Sequence, residues 1–400
     1  MYNALVIIVF LISVWRLFHK TIRYSNVWHA TVTPLASIIG SGFLISAPLL
    51  IYSTGVLAPL VMFIIVMLAY ALGSSLRFNI AYLEPKLADN SLPRFMSLIE
   101  TLSHPILSIA YVISVAFYLK LLAAFIFRGA GIHHLFIEKS LTTVILIFIG
   151  VVGRFRGLSM LEWLEIYSVN TKLAIINAIL ISFAVFNVAQ LQEGQWLIKS
   201  FSHDSLWLSI REVLGMLIII QGFETSRYLG KDYNADFRIR TMKYAQWISG
   251  AIYLIFVGLA LSIFNNIHSI SETSIIDLCK VIAPVLPFLL IVAAIMSQFS
   301  AAIADTVGGG GLLSEAFHNH LNTKQCYLLL SCVAIALTWL TNIYEIITIA
   351  SKAFAIYYAL QIIITILLKK QLGHSAISIL FYVGLTFVMV LVIVFGLPVE

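Results

Sequence analysis

Charge is scarce in this chain: Asp, Glu, Lys and Arg together make up 10% of its 400 residues. A water-facing globular domain carries about 25%, so a surface exposed to water throughout is excluded. Cysteine is scarce too. Cys279, Cys326 and Cys332 have neither metal-ligand spacing nor the pattern of a disulfide framework. His133, His134, His318 and His320 fall in expected loops and make no metal pattern. The four glycines 308–311 are followed by Leu312-Leu313, not Gly-Lys-Ser/Thr, so they are not a phosphate loop. No His, Asp or Glu residues converge at helical spacing within the apolar runs, which argues against an enzyme and against a metal or other cofactor. No repeated charged ring marks a channel filter.

What the chain has in abundance is apolar sequence. Hydrophobic residues make up 61% and the mean hydropathy is +1.00. A bilayer core of about 30 Å is crossed by roughly 20 apolar residues in a helix. Apolar runs between charged punctuation predict twelve spans, at about 4–15, 33–53, 56–76, 105–127, 141–153, 163–187, 208–229, 244–264, 281–304, 325–341, 343–368 and 376–397. The fifth reads as short. The first apolar run has no small-residue cleavage site after it and reads as a retained helix. With the N-terminus outside, sixteen of the 24 basic residues lie on the cytoplasmic side, five lie outside, and Lys120, Lys172 and Lys352 fall within spans. That sidedness persists to the end of the chain, so the +6 net charge is a topology signal and calls for no nucleic-acid partner. The expected location is a cell membrane, plasma or inner, with the lipid bilayer as the main contact.

One pattern recurs. Ile38-Ile39-Gly40-Ser41-Gly42-Phe43 in the second span is echoed by Ile218-Ile219-Ile220-Gln221-Gly222-Phe223 in the seventh. Glycine in mid-span weakens a helix by about 1 kcal/mol against alanine, and freed backbone groups in a bilayer must line a cavity or find protein partners. Four spans lie between the copies, so they cross in opposite directions. An inverted pair of glycine-interrupted helices points to a mid-membrane binding site of a secondary transporter; glycine-mediated helix packing is the simpler alternative.

These residues resemble the amino acid–polyamine–organocation (APC) superfamily, whose transporters have a LeuT-type fold. Ile39-Gly40-Ser41-Gly42-Phe43 is similar to the break in that family's first core helix, and Gly222-Phe223-Glu224 to the break in its sixth. Gly153-Arg154-Phe155-Arg156-Gly157 with Val169-Asn170-Thr171-Lys172-Leu173 resembles the passage between core helices four and five. Gly311-Leu312-Leu313-Ser314-Glu315-Ala316-Phe317 resembles the stretch after core helix eight. The matches run in the family's order over roughly 35–320. The chain departs from the pattern in its extra N-terminal helix, in Lys231-Asp232-Tyr233-Asn234-Ala235-Asp236 without a proline, and in Asp305-Thr306-Val307 with four glycines in place of an arginine-containing stretch. The resemblance implies an all-α membrane protein with a 5+5 inverted repeat and discontinuous helices. Residues 1–30 form an extra helix and linker, 31–190 and 205–370 the two repeats, and 371–400 a further helix.

An unwound Gly40-Ser41-Gly42 offers the N–H groups and positive dipole end of the half-helix after it to a carboxylate. At Gln221-Gly222 the freed carbonyls suit an amino group, and Phe223 is placed to close over the ligand. Glu224 reads equally as a cation or proton site and as a structural carboxylate bonded to the broken backbone. Lys172 lies about ten residues, roughly 15 Å, into its span, where a lysine must pair or lose its proton. The resemblance puts it where sodium-coupled members hold their ion, facing Ser297, Ser300 and Asp305. Asp305 reads as a helix cap, with a pair to Lys172 as the alternative. Tyr111, Tyr118, Tyr357 and Tyr358 line a cavity or serve packing, and Lys120 and Lys352 read as structural. The expected function is secondary transport, by alternating access, of an amino acid or related small zwitterionic solute, with protons, or else sodium, as the coupling ion. A same-fold carrier of an organic or monovalent cation is the alternative. A membrane-embedded subunit, channel or enzyme is more remote.

Overall fold

The computed structural model describes residues 2–132, 134–158, 164–194, 196, 205–266, 271–317 and 320–399, so His133 and His318 lie outside it. Among the described residues every regular element is helical, as a bilayer requires of a chain that satisfies its backbone without water. Helix α1 (Tyr2–Leu17) is followed by a single turn at Lys20–Arg23. The expected second span is two helices, α2 (Asn26–Ile38) and α3 (Ser41–Thr54). Gly55, at φ +57°, ends α3 and turns the chain into α4 (Ala58–Ala88). Then come α5 (Arg94–Gly129), α6 (Leu135–Phe155) and α7 (Leu164–Gln192). The expected seventh span is α8 (Leu206–Gly215) with two 3-10 segments, Leu217–Ile220 and Phe223–Lys231. The remaining helices are α9 (Ala235–Ala260), α10 (Ser274–Ile282), α11 (Leu286–Ala316), α12 (Thr323–Leu340), α13 (Ile343–Gln371) and α14 (Ala376–Phe395).

Caps explain the tight connections. Asn322 with Gln325 and Asn342 with Glu345 are reciprocal capping boxes at the starts of α12 and α13. The second of these reverses the chain within the two residues between α12 and α13. Two expectations change. The fifth span is a full 21-residue helix, and α10 occupies a stretch expected to be loop.

Eight described stretches are long and apolar enough to cross a membrane, against twelve expected. Helix α1 has 16 residues, α9 carries Lys243 and Gln246, and the second and seventh spans are interrupted by their breaks. Gly42–Ala88 counts as one stretch, although the turn at Gly55 divides it. Helix α5 is the axis of the bundle: 89% of its most apolar window is buried, against 22% in α6 and α14.

Helix α11 runs unbroken through the four glycines, which corrects the expectation that Asp305 caps a helix ending there. The reason is packing. Ser108 Oγ on α5 donates to the Gly309 carbonyl at 2.9 Å, and a Cβ on Gly310 would stand 2.4 Å from the Tyr327 ring of α12. Small residues let backbones approach inside a membrane, and an intact helix leaves no polar group orphaned there.

Candidate functional site

The first break falls at Ile39-Gly40. Gly40 is the N-cap of α3 and provides no side-chain cap, while Ser41 and Gly42 already belong to the helix, Ser41 being described only in its backbone. The expected unwinding over Gly40–Gly42 is therefore shorter and one residue earlier, because the helix resumes as soon as Ser41 can enter it. The N–H groups of α3's first turn remain without a side-chain cap. The second break is at Gln221-Gly222, with Gly222 at φ +117°. The nine-residue 3-10 segment after it is long for that geometry.

The two breaks interlock through their glycines. A Cβ on Gly42 would lie 2.3 Å from the Ile219 carbonyl oxygen, and one on Gly222 would lie 2.5 Å from Ser37 Cβ. Each glycine is the seat for the other strand's backbone. Tyr253 on α9 joins them: its hydroxyl stands 2.8 Å from the Ile38 carbonyl oxygen and 2.7 Å from that of Ile219. One proton is shared between the two carbonyls that the breaks release. Sequence reasoning missed Tyr253, which sits in an ordinary apolar run. Tyr253→Phe leaves both carbonyls buried without this donor and is expected to destabilise the protein by about 1–3 kcal/mol; a lowered apparent melting temperature in detergent is the readout.

Lys172 is buried, at 2% exposure. Its ammonium donates to the Ala36 carbonyl at 3.2 Å and to Ser297 Oγ at 3.3 Å, while Ser297 Oγ lies 3.3 Å from the Ile39 carbonyl oxygen. A buried charge on α7 thus grips the last turn of α2 and the facing side of α11. Asp305 is eight residues beyond Ser297 on α11, about 12 Å along the axis, so the Lys172–Asp305 pair is not formed. Ser300 also stands apart. Its hydroxyl donates to the Ser297 carbonyl of its own helix at 3.1 Å, as serine does when the helix backbone is its nearest acceptor. The cavity beside the break, lined by Gly40, Phe43, Lys172 and Ser297 among others, has about 10 Å³, room for about one water.

On the other side of the breaks Glu224 Oε2 accepts from the Gly222 N–H at 3.0 Å and from the Tyr358 hydroxyl at 2.8 Å. That oxygen has the structural role; Oε1 is buried without a partner. Phe223 is fully packed, stacked on Tyr358 at 5.3 Å between ring centres. Gln221 Nε2 donates to the Tyr118 hydroxyl at 2.9 Å, and Tyr118 faces Asp305. Tyr111, Tyr118, Tyr357 and Tyr358 are all buried, and Tyr118 and Tyr358 bond the break through Gln221 and Glu224. Lys120, by contrast, is far from it and donates to the Thr341 carbonyl at 2.5 Å.

A charged cluster invisible to span prediction closes the end of the 3-10 segment. Arg227 binds Glu100 at 2.8 Å and Gln361 Oε1 at 2.8 Å, and its Nε lies 3.7 Å from Glu84. Arg238 pairs with Glu84 at 2.5 Å, and Gln361 Nε2 donates back to Glu100 at 2.8 Å. These residues come from α4, α5, α9 and α13. They read as loop or helix-end charges, because the helices run further than their apolar windows.

The sequence profile described as APC superfamily transporter matches residues 20–396. The chain belongs to the APC superfamily of transporters. An "Uncharacterized protein" of Aquifex aeolicus (strain VF5) is 43% identical over 382 residues, covering 94% of this chain and 92% of that one. Two solved structures share the fold, each at TM-score 0.54. One is the manganese transporter of Eremococcus coleocola, in complex with an aromatic bis-isothiourea substituted compound, at 12% identity over 91% of this chain and 85% of that one. The other is a Na+-coupled sialic acid symporter in a substrate-bound outward-open state, at 13% identity over 100% of this chain and 98% of that one. This APC transporter is thus a multi-pass membrane protein with a LeuT-type fold, and it is not an enzyme.

Proposed function

We propose that this transporter carries an amino acid or related small zwitterionic solute with proton coupling, through twelve crossings arranged as an inverted five-helix repeat with one extra helix at each end, and with its N-terminus outside. The uncapped first turn of α3 at Gly40 supports this reading most directly. Its N–H groups and the helix dipole favour a carboxylate, and glycine there allows close approach. Freed carbonyls and Gln221 at the second break suit the amino group. Room for about one water beside Gly40 means that the solute enters only when the breaks part, which is alternating access.

Lys172 supplies the coupling. Its ammonium binds where an ion would bridge α2 and α11, using a carbonyl and a hydroxyl as acceptors. Loss of its proton weakens both contacts and frees the first break to shift. In proteoliposomes with an imposed pH gradient, wild-type protein is expected to accumulate solute, and uncoupler to abolish the accumulation. Lys172→Ala is expected to lose gradient-driven accumulation by at least about tenfold, a barrier change near 1.4 kcal/mol, while keeping solute counterflow. Normal pH-dependent accumulation in that variant removes Lys172 from the coupling step.

A further inference from the structure

Away from the glycine breaks, two basic side chains are buried where α4 meets α13 and α14. Arg77 and Lys369 are 6% and 7% exposed, and neither forms an ion pair among the described residues. The Lys369 ammonium stands 4.3 Å from the centre of the Phe78 ring on α4 and 5.3 Å from that of Tyr382 on α14. The Tyr382 hydroxyl lies 3.0 Å from Ser74 Oγ. Arg77 and Phe78 follow Ser74 by three and four residues and so share its face of α4. Arg77 reaches on to α9. One guanidinium nitrogen donates to Gln246 Oε1 and the other to the Tyr70 carbonyl at 3.1 Å, over the Tyr70 ring.

Lysine near the end of a membrane helix ordinarily stretches out to water. Lys369 is two residues from the end of α13, yet its ammonium rests on Tyr382, six residues or about 9 Å into α14. It leans inward, as a helical side chain does toward the N-terminus of its own helix. Ring faces attract its charge but give no oxygen to its three N–H donors, and it makes no hydrogen bond among the described residues.

The acids of these helices are all engaged or remote. Glu84, the one acid of α4, is held by Arg238 and Arg227. Glu345, the one acid of α13, caps that helix's opposite end. Asp236 of α9 is ten residues, about 15 Å, ahead of Gln246, and α14 has no charged residue. The other ionisable group beside Phe78 is His374, 5.7 Å away between ring centres. Two buried cations with no acid call for an anion from outside the chain.

The surroundings say which anion. Ile377 and Leu380 of α14 are 83% and 69% exposed, and Phe381, Tyr82 and Trp247 are exposed as well. Exposed aromatic rings beside basic groups mark a membrane interface, and the apolar face of α14 suits acyl chains better than water. A choline or ethanolamine headgroup would add a positive charge to the two already present, whereas a headgroup of net negative charge balances them. We infer that the face around Lys369 and Arg77 binds the phosphate of an anionic phospholipid and so ties the peripheral helix α14 to α4. The site is separate from the breaks and independent of which solute is carried.

The experiment is a thermal-shift titration of the full chain, stripped of lipid by prolonged washing in dodecyl maltoside, at fixed pH and ionic strength. The probes are phosphatidylglycerol, phosphatidylcholine and inorganic phosphate. Phosphatidylglycerol is expected to stabilise saturably, with phosphatidylcholine about tenfold weaker and inorganic phosphate without effect at the same concentrations. Lys369→Gln should lose most of that preference, and Lys369→Arg should keep it. Lys370→Gln, which removes the adjoining exposed charge, should also keep it. Equal stabilisation by the two lipids, none by phosphatidylglycerol, or inorganic phosphate matching phosphatidylglycerol each overturn the inference. So does a monodisperse Lys369→Gln protein with the full preference, or an equal loss in Lys370→Gln, which would make the effect one of general surface charge. The comparison of lipids on unaltered protein needs no variant, so it stands if the substituted chains do not fold.

Discussion

Gly222→Ala is expected to abolish uptake and to yield little folded protein. At φ +117° an L-residue occupies a left-handed backbone, which costs ~1–2 kcal/mol without any contact. The added methyl would also stand 2.5 Å from Ser37 Cβ and 2.8 Å from the Ile38 nitrogen. Backbone on that side cannot yield as a flexible side chain can, so overpacking adds roughly 1–3 kcal/mol. Gly42→Ala should act similarly, since its methyl would meet the Ile219 carbonyl at 2.3 Å. The two glycines share one interface, so their effects should be less than additive in the double variant. Fluorescence size-exclusion yield and counterflow measure folding and transport separately. Near-normal uptake in either single variant would mean that the breaks do not meet as described.

Arg227→Met is expected to be the most destabilising single loss of charge. It removes the guanidinium that Glu100 faces at 2.8 Å, and Glu100's side chain is only 5% exposed. Removing one member of a buried pair costs ~3–5 kcal/mol when the other is left uncompensated; His104 Nε2, 3.5 Å from Glu100, puts the expected loss at the lower end. Glu84 loses less, since Arg238 still holds it at 2.5 Å. The decisive comparison is Arg227→Met with Glu100→Gln in one chain. It should recover much of the stability lost by either change alone, a coupling read from apparent melting temperatures in a double-mutant cycle. The pair also fixes the far end of the 3-10 segment to α5 and α13, so the double variant should remain folded while its counterflow rate changes. Additive destabilisation would show that Arg227 and Glu100 act independently.

The corrections share one cause. Asp305 beside four glycines reads as a helix end when propensity is counted residue by residue. The helix continues because Tyr111, Ser108 and Tyr327 need the space that the glycines leave, and a bilayer penalises open backbone. Ser300 reads as a partner for Lys172 by proximity in sequence to Ser297, yet the three-residue step rotates it to bond its own helix's carbonyl. Arg227 and Glu100 read as solvated charges because apolar windows end before the helices do.

From the sequence alone came the membrane-spanning helical class, the places where two spans break, the depth of Lys172, and the resemblance that the APC profile match bears out. Those features are local: hydropathy over about 20 residues, glycine in mid-span, and a lysine counted from a helix end. Only the tertiary structure decided that the two breaks seat each other, that one tyrosine serves both, and that Lys172 answers to Ser297 and not Asp305. Each of these depends on the rotation and axial position of helices far apart in the chain, which packing sets and local composition does not encode.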